Sequence, residues 1–150
     1  LKLKIKKIHQ KDMPEPITPT YATDGSGCFD IYAYCPNASI NMYSNTTAFF
    51  DTKLEFEIPE GYAMKVYSRS GHGFKHNVSL VNGTGIIDSD YRGEVKVGLV
   101  AGLTTDPLRV KHGDRIAQAM LVPVEQVEFE VVQKLSDTKR GKGGFGHSGN

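Results

Sequence analysis

Apolar and polar residues alternate with a period of two along most of the chain. Leu3 and Ile5 lie between Lys2, Lys4 and Lys6, and Leu54, Phe56 and Ile58 are interleaved with Lys53, Glu55 and Glu57. Val95, Val97 and Leu99 face one way, with Lys96 and Gly98 between them. Val127, Phe129 and Val131 alternate with Glu128 and Glu130. Each run predicts a half-buried strand. Tyr62 to Tyr67 reads as a further strand. Ile116 to Val124 is apolar at nearly every position, as in a strand covered on both faces. Turn signals separate these runs at Asp24-Gly25, Pro59-Glu60-Gly61, Asn82-Gly83 and His112-Gly113-Asp114. No window carries a 3.6-residue apolar stripe of three turns, and Gly71 to Asn77 has room for a single helical turn at most. Many short strands with frequent turns predict an all-β sandwich or barrel.

The end of the chain differs. Lys139 to Asn150 holds Gly141, Gly143, Gly144, Gly146 and Gly149, with Phe145 its one large apolar residue. Such a segment buries too little surface to offset its ordering entropy. The pattern therefore predicts a β domain over residues 1–138 and an arm over 139–150 that is mobile alone and orders on a ligand.

Composition narrows the function classes. Lys plus Arg number 18 and Asp plus Glu 17, a net charge of +1 over 150 residues. A protein that coats nucleic acid usually has a large basic excess, so no nucleic-acid partner is expected. No apolar run approaches the roughly 18 residues of a membrane span, and no membrane partner is expected. The opening Leu1 to Ile8 alternates instead of forming a signal-peptide core. Cys28 and Cys35 make no disulfide framework and read as reduced thiols of a cytoplasmic protein. Asn-x-Ser/Thr sequons at Asn37, Asn45, Asn77 and Asn82 are then chance matches.

Four clusters carry candidate chemistry. Ser68-Arg69-Ser70-Gly71 offers a guanidinium, hydroxyls and open backbone N–H groups suited to phosphate oxygens, or is simply a surface turn. Asn82 to Gly93 reads as a hairpin whose glycines let a ligand approach the backbone. Within it Asp88 and Asp90 would share a face of an extended strand, where they could hold a divalent cation or act as a base. A solvated turn is the plainer reading. Gln118, in Gly113 to Gln118, is a polar residue in an apolar run and needs a partner, structural or ligand. Arg140 to Gly149 contains a literal G-x-G-x-x-G, but no strand-turn-helix context follows, which excludes a dinucleotide fold. It leaves a glycine arm whose Phe145 could stack on a base, worth about 1–3 kcal/mol. No Walker A, H-E-x-x-H or zinc-deaminase pattern occurs.

In this order the clusters resemble the five motifs of the trimeric dUTPase family, the deoxyuridine triphosphate nucleotidohydrolases, from about Tyr21 to Gly149. Gly27-Cys28-Phe29-Asp30-Ile31-Tyr32-Ala33 is similar to the family's first motif, although Phe29 is bulkier than the usual aliphatic residue. Ser68-Arg69-Ser70-Gly71 is the second, with Ser68 in place of proline. Asn82 to Gly93 and Gly113 to Gln118 are the third and fourth. The arm is the fifth, with His147 and Ser148 where the family has Ser and Thr.

The resemblance implies a distorted jelly-roll or β-clip-like barrel protomer, a flexible C-terminal arm, and a homotrimer with three sites shared between subunits. It implies hydrolysis of dUTP to dUMP and pyrophosphate, which supplies dUMP for thymidylate synthesis and keeps uracil out of DNA. Asp88 would be the general base for a water attacking the α-phosphorus. Asn82, Gly85 and the backbone of Ile86 and Ile87 would read the uracil edge, Lys96 would help complete that pocket, and Tyr91 would pack under the deoxyribose. Arg69, Ser70, Gly71 and Gln118 would hold the phosphates. Mg²⁺ would sit mainly on the phosphates, with Asp30 touching it only through water. Arg140, Phe145, Gly146, His147 and Ser148 would close over the nucleotide. The alternatives are a dCTP deaminase-type enzyme on the same fold, or a non-catalytic trimeric β-sandwich module. Deamination would need a glutamate poised at the base, and no matching position is present.

Overall fold

The computed structural model describes residues 1–144. Eleven strands and one helix are present among the described residues, and every strand pairing is antiparallel. One sheet has the order β1 (Lys4–Lys7), β5 (Thr47–Glu57), β9 (Glu94–Ala101), β7 (Val78–Leu80). A second has the order β2 (Thr20–Tyr21), β3 (Phe29–Tyr32), β11 (Arg115–Pro123), β6 (Tyr62–Tyr67), β8 (Gly85–Ile87). β4 (Ser39–Met42) and β10 (Leu108–Lys111) form a two-stranded ribbon. The chain is thus a nearly all-β, jelly-roll-like fold.

The core follows from the period-two pattern. Phe50, Leu54, Phe56, Val95, Val97 and Leu99 point inward from the first sheet. They belong to one cluster with Phe29, Ile31, Met64, Val66, Ile116 and Ala119 of the second. Fully burying such side chains is worth about 1.5–3 kcal/mol each, which is why the alternation survives. Polar partners Lys4, Lys6, Glu55 and Glu57 stay on the water side as cross-strand ion pairs. β6 spans the predicted Tyr62–Tyr67. β11 ends at Pro123 and is not covered throughout: Ile116, Ala117 and Ala119 are buried, whereas Met120, Leu121 and Val122 are half-buried.

The structure corrects further sequence expectations. The segment after Arg69 is a seven-residue helix, α1 (Ser70–His76), where a single turn at most was expected. It buries no residue, so it leaves no apolar period to read. Its C-terminal end is held instead. Asn77, in the left-handed region, donates its N–H to Gly73 O and His72 O, and its side chain donates to Leu103 O at 3.0 Å. The Val127 to Val131 alternation is not a strand. Phe129 is 89% and Val131 99% exposed, because past Pro123 the chain reaches no free sheet edge of its own. Asn82 to Gly93 is not a paired hairpin, since β7 lies in the first sheet and β8 in the second, and β8 pairs with β6 rather than β9. Of the two readings of Asp88 and Asp90, the shared strand face falls and the plainer turn holds. They lie in a turn closed by Tyr91 N–H donating to Asp88 O at 3.2 Å.

Candidate active site

A cluster around Asp30 forms one end of the site. Asp30 lies opposite Gln118 where β3 pairs β11, and β11 carries a bulge between Arg115 and Ala117. The bulge turns the Arg115 side chain toward Asp30. Arg69 Nε donates to Asp30 Oδ1 at 3.2 Å, and Arg115 Nη1 donates to Oδ2 at 3.3 Å. Arg69 Nη1 also donates to Arg115 O at 3.3 Å. Two cations thus bracket one buried carboxylate and leave an outward excess of positive charge. A cavity of about 390 Å³ opens here, lined by Gly27, Cys28, Asp30, Arg69, Ser70, Arg115 and Gln118. Gly71 follows at the exposed start of α1. Gln118 donates to Ser68 O at 2.9 Å, so its amide has a structural partner while it lines the cavity. Ser68 Oγ accepts from Leu80 N–H at 2.9 Å, a brace that a proline in its place could not supply. Phe29 fills the core and meets Tyr21 edge-on at 5.8 Å.

Sequence reasoning missed Arg115. Its only signal was a cation two residues from Gly113 in the same cluster, and only the bulge aims it at Asp30.

The other end is a wedge between the two sheets. β8 is the last strand of its sheet, so its outer edge is free. β7 covers β9 only from Leu99 to Ala101, with one further bond from Val81 N–H to Gly98 O. The start of β9, Glu94 to Val97, therefore has a second free edge. Two rows of backbone donors and acceptors lie on either side of a cavity of about 340 Å³ that is lined by Asn82, Gly85, Ile86, Ile87, Lys96 and the ring of Phe49. Gly85 packs closely there, since a Cβ would sit 3.1 Å from Val66 Cβ.

A neighbouring cavity of about 350 Å³ adds Asp88, Tyr91 and Glu94 to Ile86, Ile87 and Lys96. Asp88 is exposed at the mouth of this space. Tyr91 donates its phenol O–H to Glu94 O at 3.1 Å and packs on Gly93, where a Cβ would collide with the phenol. Arg92 closes the turn with bonds to Ser89 O and Tyr91 O.

The Asp30 cavity shares no lining residue with the wedge cavities. Arg140 lines none of the three; its Nε donates to Gly143 O at 2.8 Å on the exposed tail. Phe145, Gly146, His147 and Ser148 lie outside the described residues. Burial, and secondarily Asp30, raises the Cys28 pKa; burial, and secondarily Asp114, raises that of Cys35, so neither thiol is activated. Among the described residues no group of three His, Cys, Asp or Glu side chains could hold a metal ion. No helix is long and apolar enough to cross a membrane among those residues.

Comparison with known proteins gives a consistent result. The dUTPase family model matches residues 15–149. A protein from Nautilia profundicola named deoxyuridine 5'-triphosphate nucleotidohydrolase is 41% identical over 149 residues, covering 99% of each chain. One of the same name from Roseobacter denitrificans is 40% identical over 147 residues, covering 98% of this chain and 95% of the relative. Among solved structures, a variant of the Staphylococcus bacteriophage 80alpha dUTPase with dUpNHpp superposes with a TM-score of 0.79 at 23% identity, covering 99% of both chains. That likeness bears on the fold, whereas the family match and the relatives bear on descent. Through that match and those identities, the chain belongs to the dUTPase family.

Proposed function

We propose that the chain hydrolyses dUTP to dUMP and pyrophosphate. One observation carries this reading: two free strand edges, at Ile86–Ile87 and at Glu94–Val97, flank a cavity with a carboxylate, Asp88, at its mouth. A uracil ring offers an N3–H donor between two carbonyl acceptors, the kind of pattern a strand edge pairs with. Cytosine reverses part of it and would leave buried backbone groups unpaired, which supports large discrimination. Asn82 and the backbone of Ile86 and Ile87 read the base, with Gly85 giving room and Lys96 closing the far wall. Tyr91, tied to Glu94 O, packs under the deoxyribose where a 2′-hydroxyl would collide.

Arg69, Ser70, Gly71 and Gln118 hold the phosphates, assisted by Arg115. Asp88 accepts a proton from a water that attacks the α-phosphorus in line with departing pyrophosphate. Mg²⁺ would be held mainly by the phosphates, with Asp30 reaching it through water, and would neutralise phosphate charge. The Asp30 oxygens keep lone pairs for a bridging water beside their guanidinium partners. Residues 1–138 act as the β domain and 139–150 as an arm. Arg140, Phe145, Gly146, His147 and Ser148 close over the nucleotide and exclude bulk water.

The active form is a homotrimer. The Asp30 cavity and the wedge cavity of one chain have no lining residue in common, which supports a site that a second copy completes. The exposed Val127, Phe129 and Val131 supply an apolar row for a neighbouring subunit to cover. We place the enzyme in the cytoplasm, as a reduced-thiol protein. The test is pyrophosphate release from dUTP, dTTP, dCTP and UTP, with ammonia followed for dCTP. The wild type should act on dUTP alone, and Asp88→Asn should lose about 10³-fold in kcat while still binding nucleotide. Normal turnover by that variant refutes the base assignment.

A further inference from the structure

The base end is braced by an irregularity that the alternating pattern conceals. β5 pairs β9 from Thr47–Val100 to Asp51–Lys96 and again at Glu55–Glu94, so four steps along β5 match two along β9. The excess is taken up around Lys53, which has a φ of 55°. Buried Thr52 donates to Val95 O at 2.6 Å and accepts from Leu54 N–H at 3.2 Å, pinning the bulge to β9. Lys53 N–H donates to Glu94 Oε1 at 2.9 Å. The Lys53 ammonium lies 2.8 Å from Asp51 Oδ2 and 3.3 Å from Glu94 Oε2. The other Asp51 oxygen lies 2.9 Å from Lys96 Nζ. Four alternating charges therefore run Glu94, Lys53, Asp51, Lys96, and both ends of the chain of charges sit on the stretch of β9 that β7 does not reach.

That stretch has two jobs in the site. It forms the far wall of the wedge, through Lys96, and its Glu94 carbonyl is the anchor for Tyr91. A strand hydrogen-bonded on one side only needs another brace if its spacing from β8 is to stay fixed. Burial works to raise the Asp51 pKa, yet the hydrogen bonds from Lys53 and Lys96 outweigh it and hold the carboxyl low, as a working ion pair requires.

We infer that Lys53, with Asp51 and Glu94, is a positioning residue for the base pocket, holding Glu94–Lys96 at the spacing from β8 that admits a uracil. This rests on the dUTP reading of the site. Glycine adopts a φ of this sign without strain, and Lys53→Gly keeps the N–H donated to Glu94. The variant should fold, with kcat within about twofold of wild type, while KM for dUTP rises about tenfold and the dUTP-over-dCTP preference falls about tenfold. Lys53→Arg, which keeps a cation between the carboxylates, should restore most of both. Asp51→Asn should move KM and preference in the same direction and answers the question if the glycine variant is unstable. An active wild type whose Lys53→Gly and Asp51→Asn variants keep normal KM and base preference overturns the inference. A wild type that releases no pyrophosphate from dUTP overturns the functional reading instead.

Discussion

Replacing Asp30 by asparagine removes a charge that the fold has taken out of water while leaving shape and volume nearly intact. The Asp30 side chain is 11% exposed, against 24% for Arg69 and 48% for Arg115. The Arg69 bond is charge-assisted and largely shielded, worth about 1.5–3 kcal/mol. The Arg115 bond is half in water and contributes about 0–1 kcal/mol. The asparagine oxygen still accepts one hydrogen bond and returns about 1 kcal/mol. The balance is a loss of about 2 kcal/mol, or about 4–8 °C in Tm for a chain of this size. Calorimetry at fixed protein concentration near pH 7 reads it directly. Arg115→Gln should cost about half as much or less, because its partner Asp30 keeps Arg69. KM for dUTP should rise in Asp30→Asn, since Arg69 is no longer aimed from below. A Tm equal to or above that of wild type would mean that the two guanidiniums do not depend on this carboxylate, and the account of the phosphate end would fail.

Two further outcomes are expected. Gly93→Ala should dislodge the Tyr91 phenol from Glu94 O, at a cost of about 0.5–1.5 kcal/mol. It should raise KM for dUTP and weaken discrimination against UTP in steady-state assays; unchanged kinetics would refute the tether. Burial, and secondarily Arg69, lowers the His72 pKa from 6.5, and its Nδ1 is buried without a partner. The folded state then binds this proton less readily than the unfolded one. The associated stability is full above about pH 6.5 and is lost as pH falls through the lower folded value. In Tm measured from pH 8 to pH 5, His72→Leu should flatten the acid side of the profile; an unaltered profile would refute the effect.

The strands were legible because burial on one face writes itself as alternation. Leu54, Phe56, Ile58, Val95, Val97 and Leu99 are all buried as their spacing implies. The residues now lining the two ends of the site were legible only as motifs, since chemistry leaves no period. α1 was under-read because a helix that buries nothing has no stripe. Val127 to Val131 was over-read for the opposite reason: alternation reports an apolar face, but a strand also needs an edge to pair with. Arg115 and Lys53 were passed over because each owes its position to a bulge, and a bulge appears only when two strands are laid side by side.

The amino-acid sequence by itself determined an all-β chain, its turns, and which residues carry hydroxyl, guanidinium and carboxylate chemistry, since these follow from local composition and period. Tertiary structure alone decided that β8 and β9 leave edges unpaired, that two arginines converge on Asp30, and that Glu94, Lys53, Asp51 and Lys96 form a run of four alternating charges. Those are relations between segments tens of residues apart, and hydrogen-bond register and charge spacing have no value until the sheets are assembled.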